Sequence, residues 1–370
     1  MNVLHVHSGN LYGGIETVIA TLVREDAARV LAHRFALCFG GRLERELRAA
    51  GAPIEMLGEV RLRNPRSIFA ARGALRRLVR ATAPDVIVTH LPWTHATFGS
   101  SLRAGRTPVL QWVHGPIGGL VGTLARRALP DALICNSQYT RATLPSSHRS
   151  LPADTIMYPL AAAPAPDRAT RARIRESLST AASDVVVVQA SRLEAWKGHR
   201  EHLRALGRLA DVPGWVLWIV GGAQRPSEAA YETELRQLAR SLGIDARVRF
   251  VGQRSDVAQY LSAADLYCQP NIEPEPFGMT FVEALQSGLP VVASRTGALP
   301  EIVDAGVGVL VPPGDIGELS STLHRLIEHG DVRGALADRA PGRARALCDP
   351  AAQVSRIADY MNAVARRSAA

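Results

Sequence analysis

Residues 264–294 read ADLYCQPNIEPEPFGMTFVEALQSGLPVVAS. The two ends, ADLYCQP (264–270) and LPVVAS (289–294), are short apolar runs of buried-strand length. Between them Pro274, Pro276 and Gly278 exclude regular helix, whereas Met279, Val282, Ala284 and Leu285 recur at helical spacing until Gly288 and Pro290 close the pattern. The unit is strand, loop, helix, strand, with the helix starting near residue 279. Repeated units of this kind build a doubly wound sheet, in which sites form at the carboxyl ends of the strands.

That end carries Glu275 in the loop, Phe277-Gly278 at the turn, and Glu283 in the first turns of the helix. The first backbone N–H groups of the helix lack partners and point back toward Phe277-Gly278, where the absent side chain lets a phosphate approach. One carboxylate can accept from a pair of ribose hydroxyls, and the other from sugar hydroxyls across the phosphates. The plainer reading is an exposed Glu on a surface helix beside a Pro-rich turn, since acids near helix starts are favoured by the helix dipole.

Working outward, the alternation repeats. The second half holds VVVVQAS (185–191), GWVLWIVGG (214–222), ARVRFVG (246–252) and GVGVLVPPGD (306–315) as further strands, with helical segments between them. The first half has VLHVHS (3–8), RFALCFG (34–40), PIEML (53–57), DVIVTH (85–90), PVLQWVHG (108–115) and DALICNS (131–137). Most are apolar throughout, as parallel strands buried on both faces are. The halves meet at AAAPAPDRATRA (161–172), an Ala/Pro-rich stretch without a core pattern and the best linker candidate. An amphipathic helix, AAQVSRIADYMNAVARR (351–367), follows the last strand. The expected fold class is α/β, with two Rossmann-like doubly wound domains facing a cleft.

The 370 residues suffice for two cores, and 47% hydrophobic content is ordinary for a globular protein. No run of 18 apolar residues occurs, and MNVLHVHSGN reads as a buried strand rather than a leader, so a cytoplasmic protein without a membrane span is expected. Cys38, Cys135, Cys268 and Cys348 are scattered without metal-ligand spacing and read as buried free thiols. Residues 1–160 hold 19 Arg against 10 acids, whereas 161–370 balance 24 against 24, so the net charge of +9 belongs to the first half. Within it, RLRNPRSIFAARGALRRLVR (61–80) is an Arg-rich helical segment that can dock on anionic lipid or simply form a solvated face. No nucleic-acid motif accompanies the charge, and nucleic acid is not expected as a partner.

Of the 43 basic residues one is lysine, Lys197, in ASRLEAWKGHREHLRAL. A strand ends at Ser191, and Arg192 and Lys197 follow in the loop, where a guanidinium fork and a mobile ammonium can neutralise a diphosphate. A surface pair, or an ion pair with Glu194, is the alternative. In the first half Gly13 and Gly14 follow the first strand and open a helix, which suits a phosphate or sugar but equally a tight turn. His114 ends a buried strand and can donate to a sugar hydroxyl, while His90, Trp93 and His95 can line an acceptor pocket. A structural histidine is as good a reading for each.

These residues in this order resemble the bacterial family-4 retaining glycosyltransferases of the GT-B fold. The resemblance covers nearly the whole chain and is specific in the second half, through SRLEAWKG, EPEPFGMTFVEALQSGLPVVAS, TGALPEIV and GVLVPPGD. It implies that Arg192 and Lys197 hold the donor diphosphate, that Glu275 lies near the donor sugar hydroxyls, and that Glu283 binds the ribose. It further implies that Phe277, Gly278 and Met279 offer backbone to sugar or distal phosphate, that His114 touches the donor sugar near its anomeric carbon, and that Gly13-Gly14 close over the phosphates. The implied domains are 1–162 with 353–370, the terminal helix crossing back, and 163–352 as the donor-binding domain. Two departures stand out: MYPLAAAPAP replaces the usual Asn-Gly-rich loop after the last strand of the first domain, and acceptor-side residues match no motif.

The implied activity is transfer of a hexose from a UDP- or GDP-sugar to an acceptor hydroxyl with retention, with no cofactor or metal, since no carboxylate cluster seats a cation. Catalysis would rest on His114, Glu275, Arg192 and Lys197, with the leaving phosphate assisting deprotonation of the acceptor. The basic first half favours a glycan or lipid-linked acceptor at the inner face of the cell membrane, as in surface polysaccharide assembly, over a small natural product. A sugar-nucleotide epimerase of the same fold, or a non-catalytic donor-binding subunit, would use the same site.

Overall fold

In a computed structural model the described residues are 1–8, 13–26, 28–61, 63–103, 105–161 and 167–369. The chain divides into two compact units, Met1–Ala161 with Cys348–Ala370, and Ala162–Leu347. The first unit contains β1 (Asn2–His7), β2 (Ala32–Leu37), β3 (Ile54–Met56), β4 (Val86–His90), β5 (Val109–Val113), β6 (Ala132–Cys135) and β7 (Ala153–Thr155). They form a seven-stranded sheet in the order β3-β2-β1-β4-β5-β6-β7, with every neighbouring pair parallel.

The second unit contains β8 (Val185–Ala190), β9 (Trp215–Val220), β10 (Val248–Gly252), β11 (Leu266–Gln269), β12 (Val291–Ser294) and β13 (Gly308–Val311). Their order is β10-β9-β8-β11-β12-β13, again all parallel. Parallel neighbours need crossovers, and helices in those crossovers cover both faces of the sheet. Accordingly β9 is buried along its whole length. Leu203 and Leu206 from the helix His199–Gly207 and Leu319, Leu323 and Leu326 from the helix Ile316–Glu328 share one core with Trp215, Leu217 and Ile219.

In each sheet the chain winds outward to one side and then returns to the other side of its first strand. The reversal falls between β1 and β4, and between β8 and β11. Crevices at the carboxyl ends of such strands are where α/β sheets bind ligands. His7 and His90 end the first pair, and Ala190 and Gln269 end the second.

Two sequence expectations need correction. The strand Ala153–Thr155 has no apolar run to announce it. The linker assigned to 161–172 is shorter: residues 162–166 lie outside the described set, and a helix begins at Arg168, where the Asp167 carboxylate accepts from the N–H groups of Ala169 and Thr170. The Ala/Pro composition masked that capping signal. The terminal helix, Pro350–Ala369, belongs to the first unit and buries Val354, Ile357, Ala358, Met361 and Val364, a helical stripe. All four cysteines are buried, and none of them is in a disulfide. Among the described residues no helix is long and apolar enough to cross a membrane.

The helix Arg168–Ser177 is fastened to the second sheet by charge. Asp265, just before β11, is 2.6 Å from Arg171, also meets Arg175, and accepts from the Val186 N–H at 2.8 Å. The Arg175 side chain is only 6% exposed, so removing its counter-charge strands a buried cation. Asp265→Ala should therefore cost about 3–5 kcal/mol, visible as a lower urea midpoint than that of the parent chain.

Candidate functional site

The loops after β8 and β11 interlock. The turn Ala195–Lys197 ends at Gly198, whose φ of 75° is left-handed and whose missing Cβ would lie 1.8 Å from the Pro270 carbonyl oxygen. No other residue fits there. This close approach brings Lys197 Nζ within 2.6 Å of Glu275 Oε2 and 3.8 Å from the centre of the Trp196 ring. Glu275 is held from behind as well. Asn271 Nδ2 donates to the same oxygen at 3.0 Å, Gln269 Nε2 donates to Asn271 Oδ1 at 2.7 Å, and the Tyr267 hydroxyl donates to Gln269 Oε1 at 2.7 Å. Gln189 Nε2 donates to the Lys197 carbonyl at 2.9 Å, and Gln189 Oε1 accepts from His202 Nδ1 at the same distance.

Gly297, in the TGALPEIV segment, explains why that stretch belongs to the site. A Cβ there would stand 2.2 Å from the Glu275 carbonyl, whose oxygen accepts from the Ala298 N–H at 2.8 Å. The segment is a mould for the Glu275 backbone.

Arg192 lies at the same sheet edge. Its Nη2 donates to Glu228 Oε1 at 2.6 Å, and its Nη1 is 3.2 Å from Glu194 Oε1. The ion pair with Glu194 is present, and Glu228 is a second carboxylate partner. Arg192 and Glu283, with Ser191, Gly221, Gly222 and Thr280, line a cavity of about 190 Å³. The helix Met279–Gln286 opens at Gly278, which has a left-handed φ of 94°. Glu283, one turn in, faces this cavity, and burial pushes its carboxyl up to about 6.

In the first unit Gly13 caps the helix Gly14–Glu25, and its N–H donates to Glu16 Oε2 at 2.8 Å. Glu16 Oε1 is 2.9 Å from His7 Nε2. The preceding loop residues 9–12 lie outside the described set. His114 stands past the end of β5, with Nδ1 2.7 Å from the Tyr158 hydroxyl and Nε2 3.3 Å from His90 Nδ1. Asn136 Nδ2 donates to the Tyr158 oxygen at 2.9 Å and to the His114 carbonyl at 3.1 Å.

The acceptor-lining reading of His90 and His95 is corrected. His90 is fully buried between His5 and His114, and His95 is spent on Thr89 at 3.0 Å and on the Ala128 carbonyl. Trp93 packs against the core that includes Val60, Ala71 and Leu75. The residues that sequence reasoning missed are polar supports: Glu228, Asn271, Gln269, Gln189 and Tyr158.

Residues 12–158 match the family model described as Glycosyltransferase Family 4, and residues 170–343 match the one described as Glycosyl transferases group 1. The chain belongs to the family-4 glycosyltransferases. Among its family-4 relatives, the D-inositol 3-phosphate glycosyltransferase of Corynebacterium kroppenstedtii is 36% identical over 186 residues, 49% of this chain and 41% of that protein. The chain therefore spans less than half the length of this relative. The GDP-mannose-dependent monoacylated alpha-(1-6)-phosphatidylinositol monomannoside mannosyltransferase of Corynebacterium glutamicum is 28% identical over 66% of this chain and 67% of its own. The Anabaena HepE structure in complex with UDP-glucose superposes with a TM-score of 0.84, at 25% identity, over 98% of this chain and 100% of that one. The two parallel sheets are those of the GT-B fold.

The raised Glu283 has a measurable signature in this family-4 chain. Its folded carboxyl holds a proton more tightly than the ordinary 4.5, so the folded state binds more protons than the unfolded one between about 4.5 and about 6. Stability should fall as pH climbs through that window. Glu283→Gln should flatten this part of the profile, which urea titrations of both proteins across the window will measure.

Proposed function

We propose that this chain is a retaining, metal-independent glycosyltransferase that moves a hexose from a UDP- or GDP-sugar to a hydroxyl of a glycolipid or polysaccharide precursor. The observation that carries the reading is the Lys197–Glu275 pair, a cation and an anion at the reversal point of the second sheet, each backed by buried amides. In the free chain they satisfy one another. A sugar diphosphate offers both of them a replacement: phosphate oxygens for the ammonium, and sugar hydroxyls for the carboxylate.

As the bond between the anomeric carbon and the phosphate opens, negative charge grows on the leaving diphosphate. Lys197, Arg192 and the first N–H groups of the helix Met279–Gln286 supply fixed positive potential there, the role a divalent cation fills elsewhere. Glu283 accepts from the ribose hydroxyls when ionised, and Phe277, Gly278 and Met279 turn backbone toward the sugar and distal phosphate. In the first unit, by itself, Gly13-Gly14 at the start of the helix Gly14–Glu25 offer backbone suited to phosphate, and His114 past the end of β5 offers a ring suited to a sugar oxygen. The acceptor oxygen bonds to the anomeric carbon on the face that the phosphate leaves while the leaving phosphate takes the acceptor proton, so configuration is retained without two successive inversions through an enzyme nucleophile. UDP-glucose in the Anabaena relative supports a nucleotide-sugar donor, and the phosphatidylinositol monomannoside acceptor class named for the Corynebacterium glutamicum relative supports a lipid-borne acceptor.

A lipid-borne acceptor also suits the helix Pro65–Thr82. Phe69 is 66% exposed there, among exposed Arg66, Arg76, Arg77 and Arg80, an apolar anchor in a basic field. Such a face binds anionic lipid at the inner membrane surface through both terms.

Transfer should persist in excess chelator, and Lys197→Ala or Glu275→Ala should abolish it while the melting transition remains cooperative. Full activity in either variant, or an isomerised nucleotide sugar formed by NMR from donor alone, would sink the assignment. The chain should also co-sediment with phosphatidylserine vesicles at low salt and release at high salt, with Phe69→Ser weakening the association; no binding at low salt refutes the membrane contact.

A further inference from the structure

Four imidazoles cross the first sheet on a diagonal. His33 of β2 is in register with Val3 of β1, and His5 lies two residues on. His5 is in register with Val88 of β4, and His90 lies two residues on. His90 is in register with Trp112 of β5, and His114 lies two residues on. Steps of two keep every ring on one face of the sheet.

Each contact joins Nε2 of one ring to Nδ1 of the next. The separations are 3.3 Å from His114 to His90, 3.0 Å from His90 to His5, and 2.9 Å from His5 to His33. His33 Nε2 then faces Asp26 Oδ2 at 3.5 Å, with the two side chains 5% and 1% exposed. At the other end, His114 Nδ1 faces the Tyr158 hydroxyl.

Polarity runs in one direction along this series. Burial lowers all four rings, His33 to about 4 and His114 to about 3, so near pH 7 each is neutral and carries a single N–H. Asp26 is an acceptor already engaged by the N–H groups of Val30 at 2.8 Å and Leu31 at 2.9 Å. A lone pair on His33 Nε2 would face that carboxylate in a buried site, so the proton sits on Nε2. His33 Nδ1 is then an acceptor, which makes His5 the donor through Nε2. The same logic passes to His90 and to His114, whose Nδ1 accepts from Tyr158. Asn136, donating to the Tyr158 oxygen, leaves the hydroxyl proton for His114 and so favours the same direction.

We propose that Asp26 and His33 are positioning residues that, through His5 and His90, fix His114 as its Nε2–H tautomer. Of the three ring-to-ring contacts the His114–His90 one is the longest, and of the four rings only His114 stands past the end of its strand, so its N–H is the one open to sharing with a ligand oxygen. That the ligand is a donor sugar rests on the transfer reading above; the tautomer does not.

The test is imidazole 15N NMR of the full chain with labelled histidine, assigned by single replacements. The parent should show neutral Nε2–H at His5, His33, His90 and His114. His33→Phe removes the acceptor for His5, so a second population with the proton on His114 Nδ1 should appear, whereas His33→Asn, which restores an acceptor oxygen, should return His114 to Nε2–H. The kcat for transfer should fall at least about tenfold in His33→Phe and recover in His33→Asn, because a wrong tautomer at a reacting histidine is costly. Nδ1–H or imidazolium at His114 in the parent overturns the proposal without any variant. So does an unmoved His114 tautomer in folded His33→Phe. A parent with the expected tautomers and no transferase activity refutes the transfer reading instead.

Discussion

A parallel strand can be added to a sheet only by carrying the chain back along one face, and that constraint governs everything else in this molecule. It forces a helix into each crossover, buries both sheet faces, and makes strands such as β9 apolar throughout. In each sheet the winding of the chain also reverses once, beside β1 and beside β8. At those two points adjacent loops diverge and leave backbone and polar side chains without the cover that crossovers provide elsewhere. The candidate site residues gather there, as ligand sites in doubly wound sheets generally do.

The two reversal points are furnished differently. In the second unit the furniture is charge: Lys197 against Glu275, and Arg192 against Glu228, each carboxylate tied to side-chain amide or backbone N–H donors. Every group in these pairs has a partner in the free chain, the arrangement on which the proposed exchange for a sugar diphosphate rests. In the first unit a series of neutral imidazoles, packed ring to ring and linked nitrogen to nitrogen, stands beside the single His7–Glu16 pair. Charge answers a charged ligand, whereas a neutral series transmits orientation without adding any field that would compete with it.

Most of the fold was legible because its signal is local. Apolar runs bounded by Gly and Pro marked the strands, and the Pro274-to-Gly278 break followed by helical spacing placed the start of the helix at Met279, where the structure has it. The strand Ala153–Thr155 escaped because three residues with one aspartate carry no run, and Asp167 escaped because a capping carboxylate was hidden in Ala/Pro composition. For the site, Lys197 stood out by being unique and Glu275 by its loop. Their direct contact was not legible, because it depends on Gly198 meeting Pro270 across the chain. Glu228, 36 residues from Arg192, looks like any acid at a helix start. The histidines were visible one at a time; only strand order and register turn His33, His5, His90 and His114 into neighbours.

The arginine-for-lysine bias has a consequence of another kind. Guanidinium groups resist acylation, while an ammonium beside a carboxylate remains a latent amine. With Lys197 as the only lysine, a single acyl group transferred to its Nζ would erase one of the two cations at the second reversal point and leave the rest of the side-chain charge untouched. Composition has thus concentrated the chain's entire side-chain amine reactivity on one atom.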